Sequence, residues 1–156
     1  MNAITNMHSA KSCKVGLDEV SFHDGYLDGI VLGREHDGYL VVRTASGSEY
    51  RLLMRGIRLL EADGFRQGNI LFDIEVHAPT VAPHEAFSGL VGDPDDQGYG
   101  VRVLAERERM ANNGEVLLLV ASSYGCTLAA ICVEVELAQC LEGPQRRTPS
   151  NGAAGA

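Results

Sequence analysis

A run without any charged residue extends from Val116 to Val133 and constrains the fold more than any other feature of this sequence. It approaches the roughly 20 apolar residues that a membrane-spanning helix needs. However, residues 122–127 (SSYGCT) are mostly polar and include a glycine, which is typical of a turn and unfavourable in a lipid-facing helix. The flanking segments are rich in Val, Leu and Ile and have the length of buried strands. We therefore predict a β-hairpin in the core of a water-soluble domain, with Ser122 and Ser123 in its turn.

The charge balance limits the partners of this chain. The 156 residues match one domain and include 13 basic and 21 acidic side chains, for a net charge of -8. Phosphates would be repelled over most of this surface, so we expect neither nucleic acid nor an anionic membrane as partner, but a basic protein. Self-association stays open. Both lysines, Lys11 and Lys14, lie in the first fourteen residues, so the rest of the chain has no lysine for a Schiff base or a phosphate loop. We predict no cofactor.

The cysteines indicate the redox state of the chain, and the composition of its two ends indicates the compartment and the domain boundaries. The four cysteines form no C-x-x-C pair, so reduced thiols are expected rather than a zinc site or a disulfide framework. Residues 1–16 contain no apolar run of the kind found in a secretory signal, which favours the cytoplasm. We predict a flexible segment over residues 1–20, one domain over 21–141 and a disordered tail over 142–156, where large apolar side chains are scarce.

Alternating short segments predict an antiparallel sheet. Turn signals separate five candidate strands, over residues 26–32, 39–44, 49–54, 57–60 and 69–77. In the last of these, Ile70, Phe72, Ile74 and Val76 alternate with Leu71, Asp73, Glu75 and His77, so the first set is expected to face the core. Residues 84–90 favour a short helix, and residues 101–111 favour an amphipathic helix that covers the sheet. The predicted class is α+β, a predominantly antiparallel sheet (meander or half-barrel) with one or two covering helices.

Three groups of polar residues are candidate sites. Asp73, Glu75 and His77 would point the same way and could hold a metal. A charged outer strand face explains them better, because no second group of ligands lies nearby in the sequence, and we predict no metal. His23-Asp24 with Asp28 could provide a histidine base, although Asp24-Gly25 is ordinary turn chemistry. Ser122 and Ser123 lack a nucleophile elbow, and Gly29 and Gly33 lack a dinucleotide fingerprint and instead suggest bulges. No catalytic residue is predicted.

An acidic face is the binding site that the sequence favours. Asp73 and Glu75 would combine with Glu134 and Glu136 if their strands lie near each other in the sheet. Like charges on facing strands destabilise a sheet by up to about 1 kcal/mol per pair, so such a cluster would need a binding role. The alternative is a dispersed, solvated surface.

Three segments resemble a family of small bacterial proteins of unknown function that has immunity-protein relatives. These are FHDGYLDG at residues 22–29, GNILFDI at 68–74 and SYG at 123–125, and the resemblance covers residues 22–137. It implies no catalytic residue. We therefore predict a non-enzymatic protein-interaction domain, in the form of an immunity-type inhibitor of a basic partner. The alternative is a small-molecule or metal-binding domain whose pocket gathers His23, Asp73 and His77.

Overall fold

The computed structural model describes residues 12–140, and the predictions for residues 1–11 and 141–156 lie outside this range. The described part contains nine strands, a long helix α1 (Tyr99–Asn113), and two short 3₁₀ helices at Leu17–Glu19 and His84–Phe87. The strands are β1 (Ser12–Val15), β2 (Tyr26–Leu32), β3 (Gly38–Arg43), β4 (Glu49–Arg55), β5 (Leu59–Asp63), β6 (Asn69–His77), β7 (Val116–Tyr124), β8 (Thr127–Cys132) and β9 (Glu134–Cys140). The predicted α+β class with a covering helix is confirmed.

One antiparallel sheet contains all nine strands, in the order β1-β9-β4-β3-β2-β6-β7-β8-β5. The order returns on itself, because β4 continues into β5 and β8 continues into β9, so the β4–β9 and β5–β8 pairs follow one another along the same two segments of chain. Two backbone hydrogen bonds cross the junction: the N–H of Val133 donates to the carbonyl of Arg55, and the N–H of Arg58 donates to that of Ile131, both at 2.9 Å. The sheet therefore curls around its inner face.

The inner face of the curled sheet holds the main core, with side chains from β2, β3, β4, β6, β7, β8 and β9. Its largest fully buried members include Leu27, Leu40, Leu52, Met54, Leu71 and Leu118. A second cluster lies on the outer face, where α1 covers β7 and β8. It is formed by Ala82, Phe87, Tyr99, Val103, Met110, Leu117 and Ile131.

The β7–β8 hairpin is buried on both faces, which explains why its sequence lacks charged residues. Leu118 and Ala130 face the main core, whereas Leu117 and Ile131 face α1. The predicted hairpin is confirmed, but its turn is shorter than expected. Ser122 and Ser123 lie within β7 rather than in the turn, which consists of the two residues between Tyr124 and Thr127. The α-helix of the described residues is not long and apolar enough to cross a membrane.

A β-bulge changes which side of β6 faces the core. The pairing of β6 with β7 shifts on either side of Leu71, and Phe72 has no partner in the register. Leu71, predicted to face outward, is fully buried, whereas Phe72 is 55% exposed. Beyond the bulge the predicted alternation holds, and Ile74 is buried. The prediction for Ile70 and Phe72 is therefore wrong, because one extra residue reverses the alternation of a strand.

The elements around the sheet extend or correct other expectations. Residues 12–20, expected to be flexible, include β1, which pairs with β9, and the 3₁₀ helix Leu17–Glu19. The predicted helix is α1, and it ends at Gly114, whose positive φ of 66° suits a residue without a side chain. The predicted second helix is reduced to the 3₁₀ helix His84–Phe87. Gly29 follows a bulge at Asp28, as the sequence suggested.

A buried ionic cluster attaches α1 to the sheet. Arg58, in the link between β4 and β5, donates from Nε and Nη2 to the carboxylate of Glu115 at 2.8 and 2.7 Å, and also to Glu106 of α1. The side chains of Glu106 and Glu115 are 7% and 5% exposed. Their hydrogen bonds raise the pKa of Arg58 further above its ordinary value, with the bond to Glu115 as the largest cause.

Candidate binding groove

The outer faces of β6, β7, β8 and β5 are arranged in cross-strand rows. The first row is His77-Leu117-Ile131-Leu59, and the second is Glu75-Leu119-Ala129-Glu61. In the third, Asp73 pairs with Ala121 of β7, and Asp63 pairs with Thr127 of β8. In the first row, the two central positions belong to the cluster beneath α1. The second and third rows have a floor of mostly small side chains with a carboxylate at each end.

A groove of about 430 Å³ lies over this floor, between β5 and the 3₁₀ helix His84–Phe87. Glu61, Asp63 and Glu85 line it together with Leu119, Ala121 and Ala129. The 3₁₀ helix is held in place by Phe87, which is fully buried, and by the hydroxyl of Tyr99, which donates to the carbonyl of His84 at 2.9 Å. The small side chains of the floor keep the groove open.

Carboxylates stand on both sides of this surface. Glu61 and Asp63 lie on β5, while Asp73 and Glu75 lie on β6, three strand spacings or roughly 14 Å away. This separation exceeds the screening length of about 8 Å at physiological salt, so the two sides repel each other little. The described lining of the groove includes no lysine or arginine. We call this surface the acidic groove: Glu61, Asp63 and Glu85 line it, and Asp73 and Glu75 lie at its border on β6.

The four predicted binding residues do not form one face. Asp73 and Glu75 border the acidic groove, whereas Glu134 and Glu136 lie on β9. In the strand order, β4, β3 and β2 separate β9 from β6 in one direction, and β8 and β7 separate them in the other. Glu134 instead lies 3.9 Å from Arg55. Glu61, Asp63 and Glu85 are not among the predicted binding residues, although the alternation in residues 59–63 (LLEAD) places Glu61 and Asp63 on one face.

The structure separates the residues considered for catalysis. Asp28 accepts two hydrogen bonds from Arg43, at 2.9 and 3.1 Å, which raise the pKa of that guanidinium. His23 instead contacts the ring of Phe72, at 5.3 Å between ring centres, and lies 3.7 Å from Asp24. Asp28 is thus engaged by Arg43 and does not orient the histidine.

The residues considered for metal binding make local contacts. His77 lies 2.6 Å from Glu75, and Asp73 accepts a hydrogen bond from the N–H of Ile74 at 2.8 Å. Over residues 12–140, no group of three or more His, Cys, Asp or Glu side chains is arranged to hold a metal ion.

A second cavity opens at the inner face of the sheet. It measures about 520 Å³ and is lined by Gly16, Leu17, Leu52, Val76, Val135, Glu136 and Leu137. None of the three polar residues expected to gather in a pocket, His23, Asp73 and His77, lines this cavity. This cavity is therefore mainly apolar and is not the pocket in which the sequence would gather these three side chains.

Compared with known proteins, this chain matches no family model, no curated protein and no solved structure. The resemblance to the family with immunity-protein relatives therefore stays a prediction.

Proposed function

We propose that this protein is a non-enzymatic cytoplasmic interaction domain that binds a basic segment of a partner protein in the acidic groove. One observation carries the proposal: carboxylates stand on both sides of a floor made mostly of small side chains. Glu61 and Asp63 stand on one side, and Asp73 and Glu75 stand on the other. Bulky partner side chains would fit above Ala121 and Ala129, where the floor has little side-chain volume of its own.

Electrostatic attraction accounts for partner selection in this proposal. A carboxylate and a guanidinium 4 Å apart attract each other by about 1 kcal/mol in water and about 4 kcal/mol near a protein surface. Like charges on the two sides of the groove would also accelerate the approach of a cationic partner. Inhibition of a toxin is a specific form of this function, in which the acidic groove would cover a cationic segment of the toxin.

Neutralising the groove tests the proposal. The triple variant Glu61→Gln, Asp63→Asn and Asp73→Asn removes three carboxylates with little change in side-chain volume. A labelled peptide of alternating arginine and valine serves as the probe in fluorescence anisotropy. Each exposed ion pair contributes about 0.2–1 kcal/mol, and about 1.4 kcal/mol equals a tenfold change, so we expect roughly tenfold weaker binding at low salt.

A matched control separates the groove from overall charge. The triple variant Glu35→Gln, Glu108→Gln and Glu134→Gln changes the net charge equally at exposed positions on other elements. The proposal requires this variant to bind the peptide nearly as well as the wild-type protein. If both variants lose the same peptide affinity, net charge rather than the groove explains the binding. If the control loses more affinity than the groove variant, the peptide binds elsewhere. Capture from the host cell with both variants then identifies the basic partner.

The small-molecule alternative is favoured by one observation, the apolar cavity at the inner face. Its volume of about 520 Å³ falls in the range of small-molecule sites. Native mass spectrometry of the purified protein would reveal a retained ligand. The variant Val135→Phe should fill the cavity and displace this ligand. If the wild-type protein retains no ligand and also binds none of the apolar compounds added to it, this alternative is wrong.

A further inference from the structure

One edge of β6 is left without a neighbouring strand for most of its length. β2 pairs with β6 only at Tyr26↔Ile70 and Leu27↔Asn69, and the turn before β2 bonds to Leu71. From residue 73 to residue 77, β6 pairs with β7 on one side. Among the described residues, no backbone hydrogen bond reaches this stretch from the other side.

The backbone groups of two residues point toward this edge. The N–H of Ile74 donates to the Oδ1 atom of Asp73. Leu71 bonds to the turn before β2 through its N–H and its carbonyl, and the extra residue Phe72 shifts the alternation by one, so the backbone groups of Ile74 point to the same side as those of Leu71. Because backbone groups alternate along an antiparallel ladder, the N–H and carbonyl of Val76 point the same way as those of Ile74. The edge thus presents the N–H and carbonyl groups of Ile74 and Val76. The carboxylate of Asp73 accepts the N–H of Ile74.

The side chains beside the edge differ between the two faces of the sheet. On the outer face, Asp73 and Glu75 are exposed carboxylates at the border of the acidic groove. On the inner face, Val76 is 38% exposed and lines the apolar cavity together with Leu52 and Val135. A strand added here would therefore meet negative charge on one face and an apolar cavity on the other.

We infer that β6 accepts an extended segment of the basic partner as an additional strand, in which basic and apolar residues alternate. This inference rests on the proposed function and extends the contact beyond the groove, because the added strand lies on the side of β6 away from β7 and shares only Asp73 and Glu75 with the acidic groove. The partner backbone pairs with Ile74 and Val76, its basic side chains lie beside Asp73 and Glu75, and its apolar side chains enter the cavity. Strand addition of this kind takes its affinity from main-chain hydrogen bonds and its specificity from alternate side chains. Pairing releases Asp73 from the N–H of Ile74 and leaves its carboxylate to the partner.

N-methylation of the peptide probe tests the inference, because it removes backbone donors and keeps every side-chain charge. In an extended peptide of alternating arginine and valine, all arginine N–H groups point to one edge and all valine N–H groups to the other. Two peptides are compared with the parent, one N-methylated at each arginine and one at each valine. We expect one of them to bind at least tenfold more weakly and the other to bind like the parent.

Hydrogen exchange supplies a measurement that needs no variant. In the free protein the amide of Val76 should exchange faster than those of Glu75 and His77, which face β7. Binding of the parent peptide should slow exchange at Val76. An amide of Val76 that is already protected in the free protein would show that another part of this chain occupies the edge, and the inference would be wrong.

The outcomes distinguish this inference from the proposed function. Equal binding of both N-methylated peptides, with weaker binding to the groove variant, would overturn strand addition and leave the acidic groove as the site. Failure of all three peptides to bind at low salt would overturn the proposed function itself. Weaker binding of only one N-methylated peptide, together with slower hydrogen exchange at Val76 in the complex, would support both the proposed function and strand addition.

Discussion

Replacing Arg58 with methionine should destabilise the fold strongly, because the change leaves two buried carboxylates without their main counter-ion. Glu106 and Glu115 are nearly inaccessible to water, and each accepts hydrogen bonds from this guanidinium. Removing one member of a buried ion pair typically costs about 3–5 kcal/mol. Arg58 itself is 25% exposed, and Arg109 remains 3.7 Å from Glu106. The expected cost is therefore at the lower end, about 3 kcal/mol.

Urea unfolding followed by circular dichroism measures this cost. With a denaturant dependence of about 2 kcal/mol per molar urea, the midpoint should fall by about 1.5 M.

A triple variant tests the physical reason. Arg58→Met combined with Glu106→Gln and Glu115→Gln leaves no charge in the cluster and should recover most of the lost stability, since apolar or neutral replacements of buried ion pairs are often tolerated. If the single variant loses less than about 1 kcal/mol, the cluster does not hold α1 on the sheet. If the triple variant is as unstable as the single one, lost packing rather than unpaired charge explains the effect.

Two further predictions concern the hairpin and the core. Gly125→Ala should cost about 2–4 kcal/mol in thermal unfolding, because Gly125 has a φ of 98° and an added Cβ would clash with Oδ1 of the buried Asn69. The control Gly47→Ala, with a similar φ of 95° and no atom within 4 Å, should cost about 1 kcal/mol, and equal losses would contradict a clash with Asn69. Burial raises the pKa of Cys132 to about 11, so roughly 0.1% of this thiol is ionised at pH 8, and it should resist iodoacetamide until the protein unfolds. Mass spectrometry after native labelling checks this, and rapid modification of Cys132 would show that the core opens.

Local patterns in the sequence determined the elements of this fold. The uncharged run of residues 116–133 predicts the hairpin, because strands buried on both faces cannot carry charged side chains without compensation. The composition of residues 101–111 and the glycine that follows predict α1, since helix propensity and capping depend on near neighbours. The acidic balance, together with alternation, identifies Asp73 and Glu75 as outward-facing carboxylates.

The tertiary structure decided which elements meet, because strand order and register depend on contacts between residues far apart in the chain. The bulge at Phe72 depends on how β6 pairs with β7 and leaves no alternation signal of its own in the sequence. Glu61 and Asp63 face Asp73 and Glu75 across the width of β7 and β8, whereas Glu134 and Glu136 lie in another part of the sheet. A carboxylate's exposure can be read from its own strand, but its neighbours are set by packing of the whole sheet.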